Sequence, residues 1–210
     1  MLAIQQQSAP LSLRAALQLA AAGPSRMPCK RARLESKPIT IPQNNPPTIP
    51  LIPVVPALNT PWLFYRHELK DRDWTAGSYK SLGQADTVPA FWGLIDNPAH
   101  QVDKNFYFLM RAGHAPLWEA PENIDGGSLA FNLHRGNWQA FWLLAAQLLV
   151  GETICPASEE VVGLSISPKS GVIIIKLWIR NMQAMPALIS SLNPALLKLC
   201  PNYNIKIHRE

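Results

Sequence analysis

The stretch VVGLSISPKSGVIIIKLWIR, residues 161–180, contains two runs of branched aliphatic side chains on either side of a short polar segment. Valine and isoleucine favour strands because their branched side chains pack well on a pleated surface. Pro168-Lys169-Ser170-Gly171, between the runs, has the composition of a tight turn. The stretch therefore predicts a β-hairpin, which is the building block of an antiparallel sheet.

Five further runs have the composition of strands. They are residues 62–66, 78–84, 104–110, 128–133 and 202–209. Strands that are separated mostly by hairpins or single helices are typical of α+β domains. We therefore expect an α+β fold with a single curved antiparallel sheet. Its helices pack on one face, and the other face is free to hold a ligand.

Three segments are predicted to be helical. Residues 137–151 form the clearest helix, and Asn137 is a candidate N-terminal cap. Residues 86–96 open on a capping residue that is followed by a proline in the first turn, where the missing N–H is tolerated. Residues 185–199 are interrupted by Pro194, so two short helices are expected there.

Residues 1–57 differ from the rest of the chain in charge and composition. They hold six of the 19 Lys and Arg residues and one of the 14 acidic residues, so residues 58–210 carry 13 of each. We interpret residues 1–37 as a basic disordered tail, with an organelle transit peptide or a nuclear signal as alternatives. Residues 38–57 are predicted to be a proline-rich linker, and residues 58–210 to be the folded domain.

The composition of the folded domain limits its partners. A domain without net charge gains little from non-specific attraction to phosphate backbones, so a nucleic acid must bind at a local, shaped site. The three cysteines are widely spaced and odd in number, which argues against a disulfide framework or a zinc site and fits a reducing compartment. No apolar run reaches the roughly 18–20 residues that cross a bilayer, and we expect no membrane partner.

Sequence motifs of catalysis are missing. The chain has no phosphate-binding G-x-x-x-x-G-K loop, no dinucleotide G-x-G-x-x-G and no G-x-S-x-G nucleophile elbow. Its five histidines lack metal-ligand spacing. We therefore expect a binding protein rather than an enzyme, without catalytic residues, metal or cofactor.

Seven tryptophans are many for 210 residues. Trp138 and Trp142 lie on the clearest helix and are predicted to be core residues, and the simplest interpretation of Trp92 is the same. Trp74 and Trp118 differ, because they lie in the polar or turn-rich segments KDRDWTAG and APLWEAP, where nothing local can cover an indole. A pair of exposed indoles can hold a flat ring between them.

A series of short motifs follows along the chain. The strongest are DTVPAFW at 86–92, PLWE followed by a double glycine at 116–127, and FWLL followed by GE at 141–152. Any one of them alone is weak. In this order and spacing the chain resembles the messenger-RNA cap-binding translation initiation factor 4E family, from about Trp62 to its end. Its departures from the family pattern suggest a divergent paralogue of protozoan type.

The resemblance implies a cupped sheet whose concave side binds the 7-methylguanosine cap. Trp74 and Trp118 match the family's two stacking tryptophans, and Trp178 matches the tryptophan that touches the N7 methyl group. Glu119 matches the carboxylate that reads guanine. The chemistry is consistent, because a methylated base is cationic and attracts indole faces. A carboxylate can also accept two hydrogen bonds from the guanine edge.

The basic residues with which the family holds the cap phosphates are replaced in this chain. By alignment, Ser165 and Ile174 stand at the positions of an Arg and a Lys, and Ser128 stands where a basic residue follows the double glycine. We expect neighbouring basic side chains to take over. The candidates are Lys176 and Arg180 on the face of Trp178, Lys169 at the hairpin tip, and Lys206 and His208 on the last strand.

The expected ligand is capped mRNA. Because the sequence ends soon after the last predicted strand, a cap with further methylated nucleotides is one open alternative, and weaker binding is the other.

The resemblance also implies a partner surface on the convex, helical face. There the family binds a Tyr-x-x-x-x-Leu-Φ helix of a scaffold initiation factor or of a repressor. The corresponding surface here comprises Val88, Trp92, Leu143, Leu144 and Gln147, and Leu144 replaces an acidic residue of the family.

We expect a monomer that recruits mRNA for translation through such a partner. It is expected in the cytoplasm, with a nuclear fraction if the basic tail acts as a signal. The alternative is a translational repressor or adaptor of the same fold with weak or no cap binding.

Overall fold

The computed structural model describes residues 55–97 and 100–209. The strands are β1 (Ala57–Glu68), β2 (Lys80–Thr87), β3 (Asn105–Arg111), β4 (Gly127–His134), β5 (Val161–Lys169), β6 (Val172–Ile179) and β7 (Tyr203–Ile207). The helices are α1 (Val88–Ile95), α2 (Trp138–Val150), α3 (Met185–Ser191) and α4 (Pro194–Leu199), and 3-10 turns cover Ala76–Ser78, Ser158–Glu160 and Met182–Ala184. The predicted tail and residues 38–54 of the predicted linker lie outside the described residues.

The strands form one sheet in the order β2-β1-β3-β5-β6-β4-β7, and every neighbouring pair is antiparallel. This topology confirms the predicted α+β fold with a single antiparallel sheet. β5 and β6 form the predicted hairpin, in which Lys169 pairs with Val172. Gly171 has φ +80° in the turn, a backbone conformation that glycine adopts without steric cost.

The two faces of the sheet carry different apolar clusters, because successive side chains of a strand point to opposite sides. Tyr107 and Leu109 of β3 belong to the main core, together with Phe141 and Trp142 of α2. Phe108 belongs to a smaller cluster on the other face. The helices therefore cover one face and leave the other open. Within the described ranges, no helix is long and apolar enough to span a membrane.

Several boundaries differ from the predictions. β1 begins at Ala57 rather than at residue 62, because Ala57 pairs with Thr87 of β2. The register of the two strands shifts between Ala57 and Trp62, and this irregularity accommodates Pro61 within the strand. The cap of α1 is Thr87, whose hydroxyl accepts a hydrogen bond from the Ala90 N–H. Asn137 precedes α2 as predicted, but its side chain makes no capping hydrogen bond.

The tryptophans expected in the core behave differently from one another. Trp142 is buried as predicted, and Trp138 is half-buried against the same core. Trp92 is 37% exposed, so its interpretation as a core residue is wrong. The reason is helical geometry: α1 turns Phe91 and Ile95 toward the core, and the residue next to Phe91 then points outward.

Candidate functional site

A cavity of about 520 Å³ opens on the face of the sheet that the helices leave free. Its floor is formed by β3, β5 and β6, and its walls by the loops that follow β1 and β3. Six of its twelve lining residues are aromatic. The twelve are Trp74, Tyr79, Phe106, Phe108, Pro116, Trp118, Glu119, Ser165, Ile166, Ser167, Lys176 and Trp178. All four residues predicted to bind a base therefore line one cavity.

Trp74 lies on the loop after β1 and is 48% exposed. The buried imidazole of His67 stacks on it, with ring centroids 4.0 Å apart and planes 3° from parallel. His67 also donates from Nε2 to the carbonyl oxygen of Asp73, at 2.7 Å. His67 does not line the cavity, so it supports Trp74 from behind. The carboxylate of Asp73 accepts hydrogen bonds from the N–H and hydroxyl of Thr75, and these lower the pKa of Asp73.

Trp118, 40% exposed, lies on the loop after β3, and Asn123 holds that loop in shape. The buried amide of Asn123 donates to the carbonyl oxygens of Ala115 and Leu117, at 2.7 and 2.8 Å. Its own side-chain oxygen is 3.0 Å from Nδ1 of His114. The carbonyl groups on both sides of Pro116 are thus hydrogen-bonded, although the loop has no regular structure. These hydrogen bonds fix the backbone that carries the indole of Trp118.

The double glycine that closes this loop is required by close packing. A Cβ atom on Gly126 would overlap the carbonyl oxygen of Ile179, and one on Gly127 would overlap the sulfur of Met182 and the carbonyl oxygen of Lys206. Only glycine allows the chain to enter β4 here.

Trp118 also has an imidazole behind it. The ring of His208 is nearly parallel to the indole, at 4° and with centroids 5.8 Å apart, and its Nδ1 bonds the carbonyl oxygen of Asn123 at 2.9 Å. Burial lowers the pKa of His208, which favours the neutral ring at pH 7. His208 does not line the cavity, so each exposed indole presents one face to the cavity and is supported by a histidine on the other side.

Trp178 forms part of the floor and is almost fully buried. Its indole N–H donates to the hydroxyl of Ser165 at 2.9 Å, and its ring lies 6.4 Å from that of Trp118. Ser165, where the resemblance implies a phosphate ligand, therefore orients the floor of the cavity in this chain. Ser128 is also buried, between Trp178 and Lys206 on the neighbouring strands.

Glu119 is exposed at the cavity wall, and its carboxylate forms no ion pair or hydrogen bond with another side chain among the described residues. Tyr79 lies on the same wall. Burial, with a smaller contribution from the charge of Glu119, raises the pKa of Tyr79 to about 12, so its phenol remains a hydrogen-bond donor. The wall thus offers a carboxylate acceptor and a hydroxyl.

A second cavity, of about 350 Å³, adjoins the first and shares Ser167 and Lys176 with it. We call it the lysine basin. It is lined by Ala130, Asn132, Ser167, Lys169, Ile174, Lys176, Asn204 and Lys206. Its three lysines and two amides are all hydrogen-bond donors, which suits an anion. Three of the five predicted phosphate ligands are thereby brought together on β4 to β7.

The other two predicted phosphate ligands lie elsewhere. Arg180 forms an ion pair with Glu160 at 2.7 Å and lines neither cavity. The ring of His208 packs against Trp118 and Trp178. Both residues lie one position beyond the ends of β6 and β7, where strand alternation no longer determines the direction of a side chain.

The predicted partner surface lies on the helical side of the domain. Trp92 and Gln147 are exposed, and Val88, Leu143 and Leu144 are half-buried. Leu143 and Leu144 both pack partly against the core, so neither is fully inside or fully outside. This face therefore carries partly exposed apolar side chains on α1 and α2.

Sequence analysis missed three residues of the site. Tyr79 lies in a predicted strand, His67 directly follows one and Asn123 lies in a turn-rich segment, so nothing in the sequence marks any of the three. The sequence does not indicate that the ring of Tyr79 lies near that of Trp74, with ring centroids 6.3 Å apart. Both residues lie in the connection between β1 and β2, so their contact depends on how this loop folds over the sheet.

The fold and the cavity define a single-sheet α+β domain that presents an aromatic, ring-sized cavity on its open face. The family model described as eukaryotic initiation factor 4E matches residues 57–209. The chain belongs to the eukaryotic initiation factor 4E family.

Curated relatives match over part of their length. Eukaryotic translation initiation factor 4E of Aplysia californica is 31% identical over 131 residues, which cover 59% of this chain and 60% of the relative. Factor 4E-2 of Schizosaccharomyces pombe is 34% identical over 107 residues, which cover 49% of this chain and 44% of the relative. The chain thus spans about half of the length of these relatives.

Solved structures share the fold. Caenorhabditis elegans eIF4E-3, in complex with the 4E-binding protein Mextli and a cap analog, aligns with a TM-score of 0.63 at 19% identity, covering 73% of this chain and 93% of that chain. Ascaris suum eIF4E-3 with an m7G cap aligns with a TM-score of 0.62 at 18% identity, covering 73% and 92%. At these identities the likeness concerns the fold.

Proposed function

We propose that the chain binds the 7-methylguanosine 5′ cap of messenger RNA and recruits the message for translation initiation through a scaffold partner. The observation that carries the proposal is the cavity, which brings two exposed indoles and the exposed carboxylate of Glu119 together from two different loops. Membership in the initiation factor 4E family and the cap-bound structures of the same fold support it. A function of this kind belongs in the cytoplasm.

In this proposal the base lies between Trp74 and Trp118 and above Trp178. Methylation at N7 gives guanine a delocalised positive charge, and stacking on indole faces then gains roughly 0.5–2 kcal/mol of cation–π energy. Glu119 accepts hydrogen bonds from N1–H and the exocyclic amine of guanine. Adenine lacks this pair of donors, so it would leave the carboxylate unpaired.

The cap phosphates are assigned to the lysine basin. Lys169, Lys176 and Lys206 line it, and it adjoins the aromatic cavity through Ser167 and Lys176. Arg180 and His208 are weaker candidates, because one is paired with Glu160 and the other supports Trp118.

A titration that follows tryptophan fluorescence tests the proposal. 7-Methyl-GTP is expected to quench the fluorescence with saturation, while GTP at the same concentrations has little effect. Equal quenching by both nucleotides, or by neither, would overturn cap binding.

The scaffold partner is assigned to the helical face. An apolar helix can lie on Val88, Trp92 and Leu143, as helices do in apolar grooves. Trp92→Ala is expected to abolish capture of a Tyr-x-x-x-x-Leu-Φ peptide while 7-methyl-GTP binding is kept. Unchanged peptide capture by this variant would contradict the assignment.

A second candidate function is a translational repressor or adaptor with weak cap binding. It is favoured because Ser165 and Ile174 replace the family's phosphate ligands. The hydroxyl of Ser165 already accepts a hydrogen bond from the indole of Trp178. Peptide capture without measurable quenching by 7-methyl-GTP would support this candidate over the first.

A further inference from the structure

Lys176 lines both cavities and also contacts Trp118, one of the two indoles proposed to stack on the base. It extends from β6, where it pairs with Ser165 and Ala130, and its ammonium nitrogen lies 4.7 Å from the centroid of the Trp118 ring. This is a cation–π contact on the indole that is proposed to stack on the cationic base. The free site therefore already holds a cation on this indole.

The contact lies on the cavity side of Trp118. Lys176 and Trp118 both line the aromatic cavity, whereas His208, which stacks on Trp118, does not. The ammonium and a stacked base would thus require the same face of the same ring. Two cations cannot occupy that face together, so binding of the base requires Lys176 to move.

Within residues 55–97 and 100–209, Lys176 has no anionic partner. It is half-buried, and no carboxylate within the described residues forms an ion pair with it. Lys169 and Lys206 line the basin beside it, and the charges of both repel it. Burial together with these two charges lowers the pKa of Lys176 to about 8. An anion in the basin would attract all three ammonium groups and give Lys176 an alternative position.

We propose, on the basis of the proposed cap binding, that Lys176 makes recognition of the base depend on the attached phosphates. In the free protein its ammonium occupies the Trp118 face that the base must use. It leaves that face when phosphate enters the lysine basin. Lys176 is then a selectivity residue that favours the phosphorylated, methylated nucleotide over the methylated nucleoside.

Titrations with 7-methylguanosine and 7-methyl-GTP, monitored by tryptophan fluorescence, test this proposal. Lys176→Met removes the charge and keeps the length of the side chain, and Lys176→Ala empties the space. In both variants, affinity for the nucleoside is expected to rise about three- to tenfold, the equivalent of one cation–π contact. Affinity for the triphosphate is expected to fall.

Lys206→Met is the matched comparison, because it removes a charge from the basin that does not lie over Trp118. It should weaken binding of the triphosphate without any gain for the nucleoside. A second measurement uses inorganic tripolyphosphate, which should increase the affinity of the wild-type protein for 7-methylguanosine and have no such effect on Lys176→Met.

The outcomes separate the two proposals. If the wild-type protein binds 7-methyl-GTP but neither Lys176 variant gains affinity for the nucleoside, the role of Lys176 is wrong and cap binding stands. If the wild-type protein binds neither methylated ligand, cap binding itself is wrong, and the role of Lys176 is overturned with it.

Discussion

The imidazole of His67 lies flat against the indole of Trp74, with centroids 4.0 Å apart and planes 3° from parallel. A hydrogen bond from the same imidazole to the carbonyl oxygen of Asp73 ties it to the backbone next to Trp74. Side chain and backbone of the exposed tryptophan are thus both positioned by one buried histidine. Exposed aromatic rings lose conformational entropy when they bind, and a ring held in advance loses less.

His67→Ala is therefore expected to weaken binding of 7-methyl-GTP about fivefold, because an aromatic pair contributes roughly 1 kcal/mol beyond its buried area. His67→Phe keeps a ring against Trp74 and should recover most of that loss. The measurement is a fluorescence titration, with the exposed His134→Ala as the control. Equal affinities of the wild type and a folded His67→Ala variant would show that the stack has no positioning role.

Asn123→Ala should impair both stability and binding. It leaves the carbonyl oxygens of Ala115 and Leu117 without their donors, and unsatisfied buried groups cost about 1–3 kcal/mol each. Denaturant unfolding is expected to show a loss of about 2–3 kcal/mol, and affinity for 7-methyl-GTP should fall more than tenfold because the Trp118 loop loosens. The exposed Asn202→Ala should change neither quantity. Full affinity in Asn123→Ala would mean that the loop keeps its shape without this amide.

Glu119→Gln tests base recognition separately from stacking. The amide offers one oxygen and directs an N–H₂ group toward a guanine donor, so about 1.5–3 kcal/mol of charge-assisted hydrogen bonding is lost. Affinity for 7-methyl-GTP is expected to fall about 10- to 100-fold in a calorimetric titration, while the melting temperature is unchanged because Glu119 is exposed. Glu159→Gln, at another exposed position, is the control. A normal affinity of Glu119→Gln would exclude this carboxylate from the site.

Lys176 makes stability depend on pH. Its pKa is lowered to about 8 in the folded protein, from 10.5, mainly by burial. The charged form therefore destabilises the fold below pH 8, and this penalty disappears as the pH rises from 8 to 10.5. Lys176→Met should raise the free energy of unfolding at pH 7 by about 1–2 kcal/mol, after allowance for partial exposure.

The gain in stability should shrink toward zero at pH 10.5. The measured quantity is the difference between wild type and variant in urea unfolding, because other groups that titrate cancel in it. A difference that stays constant from pH 7 to pH 10.5 would contradict a depressed pKa for Lys176.

The main elements of this fold follow from local chemistry. The branched runs around Gly171, the apolar period of α2 and the proline in the first turn of α1 each specify their element within a few residues. The ends are less determined, since β1 begins at Ala57 only because β2 pairs with it there. A strand ends where its partner ends, and that information lies elsewhere in the chain.

The candidate base-binding residues also emerged from the sequence, because an indole in a turn-rich loop has nothing nearby to cover it. The resemblance to a family then assigned Trp74, Trp118 and Glu119 their expected roles. What the sequence does not contain is the second layer around them. His67 and Asn123 are ordinary residues in their own segments, and they support the site because each segment folds back on itself, which brings His67 against Trp74 and Asn123 against the carbonyl group of Ala115.

The phosphate candidates show the same division. Alternation along β6 determines that Lys176 shares a face with Trp178, and alternation along β7 predicts that Lys206 shares a face with His208, since side chains in strands point alternately to the two sides. Only the tertiary structure decides that Lys169, Lys176 and Lys206 line one basin, that Arg180 is paired with Glu160, and that Lys176 lies over Trp118. Periodicity specifies a direction for each side chain, whereas its partner depends on which distant strand pairs beside it.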